Sequence, residues 1–169
     1  EEDSPEGQAA REAFGQNLYD LNVQQYCCAG LNFGYYYDQS PVMVYDGDKA
    51  PEYSMGSFTA STVPGCRAPH FWLGEGQSVY DALGPAYTLL CLKPGLDDAL
   101  QSLHAAAEHQ GMTLRVLDVS GVKDLPPEYQ HPLLMVRADA HTVWRGHGLD
   151  DDSAQALVAT LCGLAVIVE

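Results

Sequence analysis

The order of apolar and polar positions predicts the secondary structure of the second half of the chain. The consecutive apolar residues 133–136 and the run 142–144 predict two buried strands joined by a tight turn. Upstream, the apolar stretches 86–92 and 112–119 predict two more strands, with an amphipathic helix between them that begins at Asp97. Strands without polar alternation need cover on both faces of their sheet, so this pattern predicts an α/β core.

The segments around these strands complete the predicted order of elements. Residues 70–73 and 78–80 predict a short strand pair, and the acidic run 150–152 caps a last helix. A strand, helix, strand crossover favours a parallel pair, and the terminal hairpin adds antiparallel strands beside it. This order is typical of a thioredoxin-like domain, a mixed sheet flanked by helices.

The first 62 residues show a different pattern. The Ser-Pro-Glu sequence at 4–6 supplies an N-cap, a proline at the first helical position and an acidic first turn, and Phe14 and Leu18 recur at helical spacing. We therefore expect a helix over residues 5–28. Residues 40–62 are rich in Pro, Gly and Asp and have little apolar periodicity, which predicts a long extended linker.

Charge and composition narrow the classes of partner. The chain has 23 acidic and 8 basic residues, a net charge of −15, and no basic cluster, so nucleic acid and anionic membrane surfaces are disfavoured. No apolar run is long enough to span a bilayer, and the first residues carry no targeting pattern. Five cysteines are an odd number in a chain too large to need disulfides, so we expect reduced thiols and a cytoplasmic location. The absence of an initiator Met suggests a piece of a longer protein.

Four blocks of sequence carry a family resemblance. They are LNFGYYYDQSP at 31–41, PGCRAPHFWL at 64–73, SVYDALGPAYTLL at 78–90 and VRADAHTVWRG at 136–146. Together they resemble the C-terminal domain of the single-component FAD-dependent aromatic hydroxylases, of the phenol hydroxylase and 3-(3-hydroxyphenyl)propionate hydroxylase type. The resemblance implies two regions. Residues 1–62 would be the tail of the flavin- and substrate-binding part, and residues 63–169 the thioredoxin-like C-terminal domain.

The resemblance also implies where the chemistry lies. In this family FAD binding, NAD(P)H oxidation and ring hydroxylation belong to the N-terminal part, and this sequence has no Gly-x-Gly-x-x-Gly after a strand. The chain is then expected to hold no catalytic, cofactor-binding or metal-binding residue of its own. Its implied role is structural: it would pack against the N-terminal flavin- and substrate-binding part and support a homodimer. The parent enzyme would be an FAD- and NAD(P)H-dependent flavoprotein monooxygenase.

One departure from the family concerns the turn of the last hairpin. The family reads Arg-Pro-Asp-Gly there, whereas this chain reads Arg-Ala-Asp-Ala at 137–140. Glycine adopts a positive φ most cheaply, so its loss has a conformational consequence. Either the turn type differs, or Asp139 takes the left-handed position.

Two further predictions concern structural features rather than catalytic ones. Tyr35, Tyr36 and Tyr37 form an aromatic run, which would fill the seam between the catalytic part and the C-terminal domain, or alternatively line the substrate pocket of the catalytic part. His131-Pro132 precedes a buried strand, where thioredoxin-like domains carry a cis proline. The resemblance therefore predicts a cis peptide bond before Pro132.

Two other classes of function remain open from the residues. A free-standing thioredoxin-like thiol oxidoreductase or peroxidase needs a low-pKa thiolate at a helix N-terminus, but the helix after residues 86–92 opens without a cysteine. Cys91 falls inside a strand, where burial would raise its pKa, and the adjacent Cys27 and Cys28 are better explained as a helix end. The six histidines are scattered without metal-ligand spacing. The third class is a stand-alone interaction module.

Overall fold

A computed structural model describes residues 3–164 and divides into two compact units. The first unit holds the residues up to Tyr35 together with Tyr53–Thr59, and the second holds Tyr36–Glu52 and the chain from Ala60 onward. Residues 40–52, which the sequence placed in the linker, thus belong to the unit that holds the sheet. The predicted border between residues 62 and 63 stays a prediction, and the outer ends of both predicted domains lie outside the described residues.

The first unit contains two helices. Helix α1 spans Pro5–Tyr26, and the side chain of Ser4 accepts a hydrogen bond from the Gly7 amide at 3.0 Å, as the N-cap pattern predicts. Helix α2 spans Ala29–Phe33. The expected N-terminal helix is confirmed, and it ends two residues before residue 28. The returning segment 53–59 passes close to α2, because the Leu31 amide donates to the Met55 carbonyl at 3.2 Å.

The second unit is built on a mixed four-stranded sheet. Its strands are β3 Tyr87–Cys91, β4 Leu114–Asp118, β5 Leu133–Arg137 and β6 Thr142–Gly146, after a small hairpin of β1 Trp72–Gly74 and β2 Gln77–Ser78. The strand order is β4-β3-β5-β6, with β3 and β4 parallel and the other neighbours antiparallel. Helix α3, Asp97–Gln110, connects the parallel strands, and α4, Asp151–Leu161, follows β6. The predicted α/β sheet with flanking helices is confirmed.

The two faces of the sheet are covered differently. On one face Leu89 of β3 packs in a core with α3 and α4, through residues such as Leu103 and Leu157. On the opposite face Leu90 packs in a second core with Phe71 and with residues of the irregular segment 119–129. Both described long helices of this unit therefore lie on one face. The prolines at 126 and 127 remove amide donors and fix φ, which explains why the second face is covered by irregular chain rather than by a helix.

The turn between β5 and β6 places Ala140, not Asp139, in the left-handed conformation. Ala140 has φ 67°, the Ala140 amide donates to the Arg137 carbonyl at 2.8 Å, and the Arg137 amide donates to the His141 carbonyl at 2.9 Å. The alternative that Asp139 takes the left-handed position is wrong. The Asp139 carboxylate instead accepts from the Arg137 Nε at 3.0 Å and from the His141 amide at 3.2 Å, which fixes it outside that position.

Candidate functional site

The three tyrosines of the predicted seam fall on both sides of the division between the units. Tyr35 belongs to the first unit and is 42% exposed, whereas Tyr36 and Tyr37 are half-buried in the second. The ring of Tyr37 meets the ring of His141 edge-on at 4.9 Å, and the Arg137 guanidinium lies over the Tyr37 ring at 5.0 Å. Tyr37 is thus fixed to the last hairpin. The role of these tyrosines as a seam stays a prediction.

The segments on either side of residues 53–59 cover the free edge of the sheet. Strand β6 is the last strand of the four-stranded sheet, so one row of its backbone groups has no strand partner. The Val44 amide donates to the Val143 carbonyl at 2.9 Å, and the Gly65 amide donates to the Thr142 carbonyl at 2.8 Å. These bonds satisfy backbone groups that would otherwise be open to pairing with another chain.

A charged cluster attaches the same segments to β6. The Arg145 side chain is only 7% exposed. Its Nε donates to the Asp46 carboxylate at 2.6 Å, its Nη1 donates to the Thr62 hydroxyl at 3.1 Å, and its Nη2 pairs with Asp48. The Thr62 hydroxyl in turn donates to the Glu128 carbonyl at 2.8 Å. We call Arg145, Asp46, Asp48 and Thr62 the Arg145 cluster.

The electrostatics of the Arg145 cluster are those of a structural ion pair. Burial would raise the pKa of Asp46, but the hydrogen bond from Arg145, an amide hydrogen bond and the nearby positive charge outweigh it and hold that pKa below its ordinary value. Sequence reasoning missed this cluster. The sequence signal for the cluster is an arginine inside a strand whose other residues are predicted to be buried, since a buried guanidinium needs carboxylate partners.

Two histidines lie at opposite ends of the β5–β6 hairpin, His141 directly after its turn and His131 just before β5. The His141 side chain is fully buried, and the ring of the half-buried His131 lies 5.1 Å from that of His147. Burial lowers the pKa of both His131 and His141 below its usual value, against the opposing effect of nearby carboxylates. Over residues 3–164, no three His, Cys, Asp or Glu side chains are grouped so as to hold a metal ion.

We expect these two histidines to make the folded state less stable in mild acid. The pKa of each histidine is lower in the folded chain than in the unfolded chain. Below the unfolded pKa of 6.5 the unfolded state therefore binds more protons, so the free energy of unfolding decreases as the pH is lowered. Asp46 and Asp139, whose pKa values are lowered, contribute to the pH dependence of stability only at more acidic pH, nearer the ordinary carboxyl pKa of 3.8. Urea unfolding between pH 7.5 and 5 measures the histidine effect.

The matched variants are His141→Asn, which removes the buried imidazole, and His104→Asn on the outer side of α3. The first should flatten the loss of stability between neutral and mildly acidic pH, and the second should leave the slope unchanged. An equal slope in both variants would show that burial of His141 does not cause the pH dependence.

None of the five cysteines lies at the start of α3, where a thioredoxin-type redox centre would place one. Burial raises the pKa of Cys91 to about 11 and also raises the pKa of Cys66, so both favour the unreactive thiol form. Cys27 is exposed at the end of α1, and all five thiols are free. The first residues of α3 are Asp97 and Asp98, whose charge would disfavour a thiolate at that helix start.

Thiol labelling tests this distribution. We expect iodoacetamide to modify Cys27 in the folded chain and to reach Cys66 and Cys91 only after unfolding, because alkylation needs an accessible thiolate. Peptide mass mapping after a labelling time course at several pH values reports each site. A cysteine that reacts with an apparent pKa well below 8 would instead favour the thiol oxidoreductase hypothesis.

The predicted cis bond before Pro132 is wrong. Every peptide bond between residues 3 and 164 is trans. The Pro132 carbonyl accepts a hydrogen bond from the Leu92 amide at 2.8 Å, which continues the pairing of β3 with β5. Since an X-Pro bond still prefers trans by about 0.5–1 kcal/mol, a local geometry that fits the trans form keeps it.

Comparison with known proteins identifies the relatives of the chain. It is 31% identical to phenol 2-monooxygenase of Pseudomonas sp. (strain EST1001) over 98% of its length and 30% of that protein. It is 26% identical to the FAD-dependent monooxygenase opdD of Penicillium oxalicum, over 78% of the chain and 26% of that protein. The chain is homologous to part of the FAD-dependent monooxygenases. The predicted resemblance is thereby confirmed.

The fold gives the same result. A structure of RebC soaked with chromopyrrolic acid and holding 7-carboxy-K252c superposes with a TM-score of 0.74 at 26% identity, over 97% of the chain and 30% of RebC. No protein-family model matches the chain. The chain spans about 30% of the length of phenol 2-monooxygenase, so homology covers less than a third of this relative. No helix within residues 3–164 is both long and apolar enough to cross a membrane.

Proposed function

We propose that this chain is the C-terminal part of an FAD- and NAD(P)H-dependent aromatic hydroxylase, and that its own role is structural. It would brace the flavin- and substrate-binding part through the helices and the tyrosine seam, and its thioredoxin-like domain would support a homodimer. The parent reaction would insert one oxygen atom of O2 into a phenolic ring. The free thiols support a cytoplasmic location for the parent.

The apolar surface of the first unit carries this proposal. Its described residues include no buried apolar side chain, yet Phe14, Leu21 and Tyr26 of α1 are 65%, 74% and 81% exposed. Most of the stability of a helix in a protein comes from tertiary packing, and large apolar side chains left in solvent on α1 indicate an interaction site. Further polypeptide that covers α1 would supply the missing burial.

The described residues do not fit FAD. A flavin pyrophosphate is bound in this kind of enzyme by the positive end of a helix and open amide groups. Here all three long helices start with acidic residues, Glu6 in α1, Asp97 and Asp98 in α3, and Asp151 and Asp152 in α4. These carboxylates would repel a pyrophosphate, and this supports a catalytic part elsewhere in the polypeptide.

The natural gene product that contains this sequence tests the proposal. We expect a mass about three times the 18.3 kDa of this chain, because the matched relative is about that much longer, and a bound flavin with its visible absorption. The isolated chain should leave the fluorescence of added FAD unquenched. A natural product of 18.3 kDa without flavin would overturn the proposal and favour a stand-alone interaction module.

A further inference from the structure

An exposed aromatic group lies on the small hairpin of the second unit. Trp72 of β1 is 59% exposed, and the ring of His70 meets its indole edge-on at 4.7 Å. His70 also meets the Tyr80 ring at 5.4 Å, and the Arg67 guanidinium lies over that ring at 5.0 Å. We call Arg67, His70, Trp72 and Tyr80 the Trp72 patch. Its ring contacts orient Trp72 in advance, which reduces the entropy lost when such a side chain is buried by a partner.

An open cavity adjoins Trp72. Its volume is about 830 Å³, and Trp72 and Lys123 line it together with Gly74, Gly76 and Gly121. A Cβ atom added at any of these three glycines would meet nothing within 4 Å, so the glycines leave real space. Cavities of this size hold drug-sized molecules, and one indole ring is smaller than that.

A large exposed side chain beside an open cavity is self-complementary. In a dimer with twofold symmetry the same surface serves both copies, so the Trp72 of each copy enters the cavity of the other. Exposed Trp, Tyr and Arg residues are also the types that contribute most binding energy at protein interfaces. We propose that two copies of this chain associate through the Trp72 patch and the glycine-lined cavity beside it. This inference rests on the proposed homodimer and names its surface.

The distribution of charge favours this surface over others. With a net charge of −15, two copies repel each other over most of their surfaces. The lining of the cavity next to Trp72 instead includes Lys123 as well as Glu75 and Asp124, and the patch adds Arg67, so opposite charges can pair across a twofold axis. The groove between α3 and α4 carries Asp98 and Asp151, which would face like charges from a second copy.

Sedimentation equilibrium of the chain over a range of concentrations tests the proposal. We expect a reversible dimer. Trp72→Ala removes the inserted side chain, and Gly121→Leu fills the cavity from a position with open space and no positive φ. Each substitution should raise the dimer dissociation constant at least about tenfold, which is the usual effect of losing a central aromatic contact.

The matched control is Tyr53→Ala, which removes an aromatic side chain that is 47% exposed on the first unit. It should leave the dissociation constant unchanged, and urea midpoints at low concentration should show that all three variants stay folded. A monomeric chain overturns the proposal, as does a dimer weakened by Tyr53→Ala but not by Gly121→Leu. Neither result bears on the mass or flavin content of the parent enzyme, so this test and that of the proposed function fail independently.

Discussion

Arg145→Ala is expected to lower the free energy of unfolding by about 3 kcal/mol. Removing one partner of a buried ion pair costs about 3–5 kcal/mol, and the lower end of this range applies because Asp48 is largely exposed. The substitution removes the hydrogen bonds to Asp46 and Thr62 and leaves two carboxylates facing each other without their cation. Urea unfolding at neutral pH, followed by circular dichroism, measures the difference. Lysine at this position would not restore the loss, since one ammonium cannot reproduce the geometry of a guanidinium that binds three groups.

Arg137→Ala is the matched control for the buried arginine. Arg137 also pairs with a carboxylate, that of Asp139, but the two side chains are 27% and 37% exposed. Exposed pairs contribute about 0–1 kcal/mol, so the control should lose no more than that. Equal losses for the two arginine variants would show that burial of Arg145 does not decide the stability of the cluster.

Gly65→Ala is expected to cost about 3 kcal/mol or more, for two reasons that act together. Gly65 has φ +98°, a conformation that strains any other residue by about 1–3 kcal/mol. In addition, a Cβ atom there would lie 2.0 Å from the Tyr37 carbonyl oxygen, which belongs to the backbone and has little freedom to move. Differential scanning calorimetry of the purified variant should show a lower Tm.

Gly47→Ala separates the two causes. Gly47 also has a positive φ, +89°, but a Cβ atom there would meet nothing within 4 Å. It should therefore cost only about 1–2 kcal/mol, the price of the left-handed conformation. If both glycine variants lose the same free energy of unfolding, the close approach of the Tyr37 carbonyl to Gly65 does not add to the cost of the substitution.

The results for Arg145 and Gly65 bear on the proposed role of the domain. Both residues attach chain segments on either side of residues 53–59 to the edge strand β6, and Tyr37 is among the residues they hold. A domain that braces a larger enzyme needs such fixed attachments, because a loosely held seam transmits no constraint to its partner. In the proposed parent enzyme we therefore expect these variants to reduce stability and assembly before they affect its activity.

The sequence by itself determined the elements and their order. Uninterrupted apolar runs such as 133–136 favour strands covered on both faces, and the caps at Ser4, Gly111 and Asp150 depend on residues within one turn. These are local signals, carried by neighbours in the chain. The sequence blocks also pointed to the family of relatives, although they did not place a site.

Only the tertiary structure decided how the segments between these elements are used. Arg145 and Asp46 are 99 residues apart, and no periodicity links an arginine in a strand to an Asp-Gly-Asp sequence in a linker. The cover of β6 by Val44 and Gly65 and the irregular cover of the second sheet face depend in the same way on distant chain. Each is settled by which backbone and side-chain groups must find partners once the sheet has formed, and that choice is made in space rather than along the sequence.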